Sequence, residues 1–193
     1  MASETVADFE ASLGRLDVGW TRTDPGGFDD ALREVLVEPA VGTPLPFEDV
    51  ALDAAPITLN PTPEQLRGAK TGVTAAAFAI ADYGSLVLES TPEGGEQVSL
   101  FPDTHVAVVR ESDVVADMDA AFERLGPRLR EGRSPGANRS AVLATGPSAT
   151  ADMGALVRGA HGPKDVHVLL LGDGGIDDGE RGDDAADGGV GDE

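Results

Sequence analysis

The order of elements in this 193-residue chain predicts an α/β fold, a three-layer α/β/α sandwich around a mostly parallel sheet. Three observations carry that expectation. Strand-like and helix-like segments alternate along the chain, as parallel strands with crossover helices require. Two apolar runs, residues 105–109 and 166–171, read as buried strands. A third run, residues 141–144, also reads as a buried strand. It stops at Thr145-Gly146-Pro147-Ser148, the kind of strand-to-helix turn where open sheets gather ligands.

Each element has its own signal. Residues 4–16 place Val6, Phe9 and Leu13 three and four apart, an amphipathic helix with Ser3 as its cap. Val18-Gly19-Trp20-Thr21 is a short strand. After Pro25-Gly26-Gly27, the residues Phe28, Leu32, Val35 and Leu36 mark a second helical face. Residues 38–60 are punctuated by Pro39, Pro44, Pro46 and Pro56, which predicts loops with one or two short strands. Thr62 caps a short helix over residues 63–67, with Pro63 at its first position. Residues 78–82 and 86–89 are strands separated by a turn at Tyr83-Gly84-Ser85. A helix is expected over residues 114–129, with Val115, Met118, Phe122 and Leu125 on one face. Pro135-Gly136-Ala137-Asn138 is a loop. A short helix should follow the Gly146 turn and lead to His161-Gly162-Pro163 and the last strand. The folded domain is expected to be residues 1–171. Residues 172–193, rich in Gly and Asp, form a solvating tail with almost nothing to bury.

Composition narrows the function. The chain has no cysteine, so its own thiolates make neither a disulfide nor an iron–sulfur cluster. It shows no basic leader with an apolar core and no run of membrane-span length, which predicts a cytoplasmic protein. Acids number 35 against 14 Lys plus Arg, and only Lys70 and Lys164 are lysines. The tail from residue 173 holds 9 of the acids and 1 arginine, so the remainder still carries 26 acids against 13 bases. That excess reads as adaptation to a salt-rich cytoplasm, where ions screen the self-repulsion. An acidic face for a basic partner is the other reading. Sequence-independent nucleic-acid binding is not expected, because no basic stripe is present to meet phosphates.

The candidate chemistry gathers at two turns. Around Gly146, Ser148 and Thr150, hydroxyls, free backbone N–H groups and a helix dipole would suit a carboxylate or phosphate. The same Gly and Ser also serve turn geometry alone. Asp82 closes a strand just before Gly84 and Ser85, where a carboxylate could accept a proton, hold a hydroxyl or act as nucleophile. It could equally cap its own turn. His105, His161 and His167 are the only histidines. His105 and His161 could share one site, whereas His167 sits in an apolar strand as a structural residue. Their spacing fits no zinc motif, so no metal is expected. Ser148 lacks the G-x-S-x-G elbow of hydrolases, and no flavin or nicotinamide fingerprint is present, so no cofactor is expected.

Three ordered stretches carry a family resemblance. GVTAAAFAIADYGSLVL (residues 72–88), SLFPDTHVAVV (residues 99–109) and GPSATADM followed by RGAHGP (residues 146–163) resemble signatures of the LUD-domain family. The likeness is strongest to its lactate utilisation protein C (LutC/YkgG) group and covers roughly residues 71–171. Two departures stand out: Ala149 replaces the usual Arg, and Asp82-Tyr83 replace the usual Glu-Thr. Arg158 is the nearby residue that could compensate for the first. The resemblance implies a fold similar to the NagB/RpiA/CoA-transferase-like proteins. It also implies an accessory or regulatory subunit of a system oxidising lactate to pyruvate, with electron transfer in cysteine-rich Fe–S partner subunits. The alternative it leaves is a stand-alone CoA-transferase or isomerase using Asp82. On this reading one small anion binds where the Gly146 and Ser148 turn faces Asp82, Gly84 and Ser85. Thr150 would contribute its hydroxyl, and His105 or His161 would lie at the edge.

The spread of acids beyond the tail generates the first prediction. Thermal melting from dilute buffer to molar KCl should show a large rise in midpoint, and a flat response would remove the case for salt adaptation.

Overall fold

The computed structural model describes residues 2–131, 140–152 and 155–172. The chain opens with helix α1 (Ala2–Arg15), strand β1 (Gly19–Thr23) and helix α2 (Phe28–Val35). Strands β2 (Ala40–Gly42) and β3 (Ile57–Leu59), helix α3 (Pro63–Gly68) and strand β4 (Thr71–Ala75) follow. Next come β5 (Phe78–Ile80), β6 (Ser85–Glu89), α4 (Gly95–Leu100) and β7 (Thr104–Arg110). A 3-10 turn (Glu111–Asp113), β8 (Val114–Val115) and α5 (Met118–Glu131) complete the middle of the chain. The last four strands are β9 (Ala141–Thr145), β10 (Ala149–Asp152), β11 (Ala155–Arg158) and β12 (Asp165–Leu171).

Six strands form a wholly parallel sheet in the order β1-β12-β7-β4-β2-β3. Its centre is the β7–β12 pair, where residues 106–109 and 168–171 are completely buried, as their unbroken apolar runs require. Alternation then sorts the side chains. Val106, Val108, Leu169 and Leu171 pack with Phe28 and Leu32 of α2. Ala107, Val109, Val168 and Leu170 pack with Val6, Phe9 and Leu13 of α1 on the other face. Each large apolar side chain buried here contributes roughly 1.5–3 kcal/mol. The α/β architecture with a mostly parallel sheet is therefore the one expected.

A second sheet, in the order β8-β5-β6-β9, lies beside α1 and was not expected. The chain changes sheets within two residues. Ala76 N–H donates to Val108 of the first sheet, and Ala77 N–H donates to Val87 of the second. Only alanines stand at positions 75–77, so nothing bulky opposes the crossing. Helix α5 covers the far face, packing Ala121 and Leu125 on Phe78, Ile80 and Val87. The Ser12 hydroxyl of α1 ties the two layers by donating to the Ala81 carbonyl at 2.5 Å.

Several local expectations are corrected. Helix α1 already includes Ser3, so that serine is not its cap. Thr62 does cap α3, in a reciprocal box with Gln65. Residues 114–115 pair with Ala79 and Ile80 as a strand, which delays α5 to Met118. Phe122, expected on the buried face, is 59% exposed, because the packed stripe runs through Ala121 and Leu125 instead. Residues 141–144 form an edge strand, with Leu143 39% exposed. The loop at 135–138 and the tail from 173 lie outside the described residues. Among the described residues no helix is long and apolar enough to cross a membrane.

Strand β4 runs very close to α4. A Cβ at Gly72 would stand 2.1 Å from the Val98 carbonyl oxygen, a contact only backbone movement could relieve. Gly72→Ala should therefore lower unfolding free energy by roughly 2–3 kcal/mol in urea titrations.

Candidate functional site

The turns at Gly146 and His161 do meet, but as two sides of a neck. Ser148 N–H donates to the Pro163 carbonyl, and Gly159 N–H donates to the Ser148 carbonyl, both at 2.9 Å. A Cβ at Gly162 would lie 3.1 Å from Ser148 Cβ, so the two loops are in close contact. Beyond the neck, where a helix was expected, β10 and β11 pair as an antiparallel hairpin. Its backbone groups bond across the ladder rather than along a helix. The anion site expected there thus lacks both the helix dipole and the Ser148 N–H, which is already taken.

Under the neck lies a cavity of about 160 Å³, walled by Leu86, Leu88, Val142, Ala144 and Val166 together with His105, Gly146, Ser148 and His161. Four of the eight expected site residues therefore share one space. Ser85 of β6 does not line it; its hydroxyl lies 2.6 Å from that of Thr145, the residue before Gly146. Gly84 backs onto Leu16 and Ser12 at the end of α1. Thr150 lies in the hairpin opposite Val157. Asp82 is exposed at the β5–β6 turn, with its N–H on the Ala116 carbonyl, and lines neither this cavity nor the larger one below.

Among the described residues no Lys, Arg, Asp or Glu lines the neck cavity. His105 is 2% exposed, with Nε2 2.8 Å from the Thr74 hydroxyl, and burial pushes its pKa down to about 4. It is therefore neutral at pH 7 and supplies no cation. Lys164, beside the neck, is held with Lys70 on Asp103, at 2.8 and 2.6 Å. Those lysines, Lys164 first, lower the Asp103 pKa to about 2. Arg158 stands directly across the hairpin from Ala149, yet its guanidinium goes to Asp17 at 2.9 Å. His167 sits 3.0 Å from the Thr21 hydroxyl, bracing β12 against β1 as a structural residue. Among the described residues no group of three His, Asp or Glu is placed to hold a metal.

The cations gather elsewhere. A cavity of about 600 Å³ opens at the carboxyl ends of β2, β4 and β7, the edge where parallel sheets bind ligands. Arg110, Arg124 and Arg128 line it, with the loop from Thr43 to Phe47, Thr74 and Leu88. Arg110 pairs with Asp49 and lies 5.0 Å from the Phe47 ring centre. Arg124 pairs with Asp113, 5.1 Å from the ring centre of Phe78. Arg128 pairs with Glu89 at 2.7 Å. Sequence reasoning missed this cleft because nothing in the chain links position 110 to the α5 arginines. The available signals were an arginine closing a buried strand and two arginines four apart on one helix.

The buried His105 and the half-buried His167 set a pH dependence. Unfolded His105 titrates near its ordinary 6.5, so between 6.5 and about 4 the unfolded chain binds the extra proton. Stability is full above 6.5 and falls as pH drops through that window, by on the order of 3 kcal/mol from this group. His167, its pKa lowered by desolvation, acts in the same direction. Denaturation midpoints should therefore fall from pH 7.5 to pH 4.5. Equal midpoints would contradict a buried neutral His105.

Residues 57–171 match the family model described as LUD domain. The chain is 33% identical over 153 residues to lactate utilization protein C of Deinococcus radiodurans, covering 77% of this chain and 68% of that protein. The protein of the same name from Bacillus subtilis is 33% identical over 106 residues. That match covers 54% of this chain and 43% of the relative, so the chain spans under half of its length. The uncharacterized protein YkgG of Escherichia coli is 32% identical over 111 residues, 56% of this chain and 47% of that one. In fold, the chain resembles a crystal structure of a DUF162 family protein from Deinococcus radiodurans. The TM-score is 0.69 at 21% identity, covering 89% of this chain and 99% of the other. By the family match over most of its described length, this chain belongs to the LUD-domain family.

Proposed function

We propose that this chain is a LutC-like accessory or regulatory subunit of a system that oxidises lactate to pyruvate. The likeness to lactate utilization protein C over 77% of the chain carries that reading, since it extends beyond the signatures into the surrounding fold. Physical chemistry adds one constraint. These 193 residues hold no cysteine, so they cannot themselves hold an iron–sulfur centre through thiolates. Cysteine-rich Fe–S subunits are the partners this reading requires. The neck cavity supports a binding role more than a chemical one. It offers the Ser148 hydroxyl and the neutral His105 between apolar walls, without an adjacent unpaired carboxylate. The stand-alone enzyme reading has no comparable support, because Asp82 is exposed and apart from both cavities.

A tagged chain recovered from cells grown on lactate should bring down a cysteine-rich Fe–S protein, and its deletion should slow growth on lactate but not on glucose. Turnover of an acyl-CoA or sugar phosphate by the isolated chain would sink this reading.

A further inference from the structure

We propose that the cleft of Arg110, Arg124 and Arg128 is a binding site for an organic carboxylate with an apolar body. The first support is where the charge lies. In a chain of net charge −21, three of the few cations face one cavity, at the sheet edge where parallel strands deliver ligands. The guanidinium fork presents five N–H donors and matches a carboxylate in two parallel bonds. Two of the forks rest against aromatic rings, Arg110 on Phe47 and Arg124 on Phe78, which limits their rotamers before a ligand arrives.

The second support is the opposing charge, which selects the class. Glu89, Glu93 and Asp113 also line the cleft and Asp49 holds Arg110 at its rim, so its three guanidiniums already face four carboxylates. One incoming carboxylate can share a guanidinium with its resident partner. A nucleoside polyphosphate would bring several negative charges against these fixed carboxylates in a partly dry space, where repulsion is strong. The third support is size and surface. About 600 Å³ lies within the range of clefts that hold drug-sized ligands, far more than a three-carbon acid fills. Leu45, Phe47, Ala76 and Leu88 supply apolar wall for a ligand body.

Arg128 and Glu89 make the cleft testable, because they form a partly exposed pair between α5 and β6. If the pair only braces the fold, removing either partner affects stability alone. If Arg128 receives a carboxylate, Glu89 competes with the ligand for it. Calorimetric titrations of the full chain in molar KCl would use acetate, hydrocinnamate, hydrocinnamide and inorganic phosphate. Hydrocinnamate should bind more tightly than acetate and at least about tenfold more tightly than its amide. Arg128→Gln should weaken hydrocinnamate about tenfold, while Glu89→Gln should strengthen it, with melting temperatures measured alongside. The proposal is overturned if hydrocinnamate fails to bind, if the amide binds equally, or if phosphate binds more tightly than the acid. It is also overturned if both variants keep wild-type affinity. None of these outcomes bears on co-purification with an Fe–S partner, so the two readings stand or fall separately.

Discussion

Between Ala76 and Ala77 the chain passes from one sheet to another, and both cavities exist because of that step. Ala76 N–H is bonded to β7 and Ala77 N–H to β6. The two sheets are therefore joined at the end of β4 and diverge from there. The larger cleft opens on one side of the junction, with Thr74 and the three alanines in its wall. The smaller cavity lies on the other side, and Leu88 of β6 borders both. The Thr74 hydroxyl meets His105 at 2.8 Å, so a residue of the first cavity touches a residue of the second. Larger side chains at 75–77 would force the sheets apart and remove this arrangement.

Charge follows the same geometry. An acidic chain commits its few cations to particular carboxylates rather than spreading them. Lys70 and Lys164 both hold Asp103 near the amino-terminal edge of β7. Arg22 reaches Glu10 and Glu111, and Arg158 reaches Asp17. These exposed pairs contribute little individually to stability and are screened by salt. The three arginines of the cleft differ in being less exposed and facing a common space. That difference, more than the number of ion pairs, separates a binding surface from a solvated one.

The residues that carry the family likeness turn out to build a joint. Ser148, Gly159, Gly162 and Pro163 lock the base of the β10–β11 hairpin to the start of β12. A motif that looks like an anion loop in one dimension can be a brace in three, because the test is where its N–H groups point. Here Ser148 N–H points at a carbonyl. His105 illustrates the same rule for side chains. An imidazole at the start of a strand could be a cation, but this one is inside and neutral.

The chain by itself determined the parallel core, because residues 106–109 and 168–171 are apolar without interruption and only a sheet covered on both faces buries them. It determined α1, α2 and the capped α3 through local spacing and the Thr62–Gln65 box, which depend on neighbours within a turn or two. It also made the family legible, through short motifs in fixed order. What only the tertiary structure decided rests on partners far apart in sequence. Residues 149–152 and 155–158 paired antiparallel because two weak strands found each other. Phe122 stayed exposed because the second sheet met the neighbouring stripe of α5. The cleft joined Arg110 to Arg124 and Arg128, and Asp82 was left outside, at an exposed turn apart from both cavities. Pairing between strands and the side a helix presents are long-range choices, and no local pattern of residues encodes them.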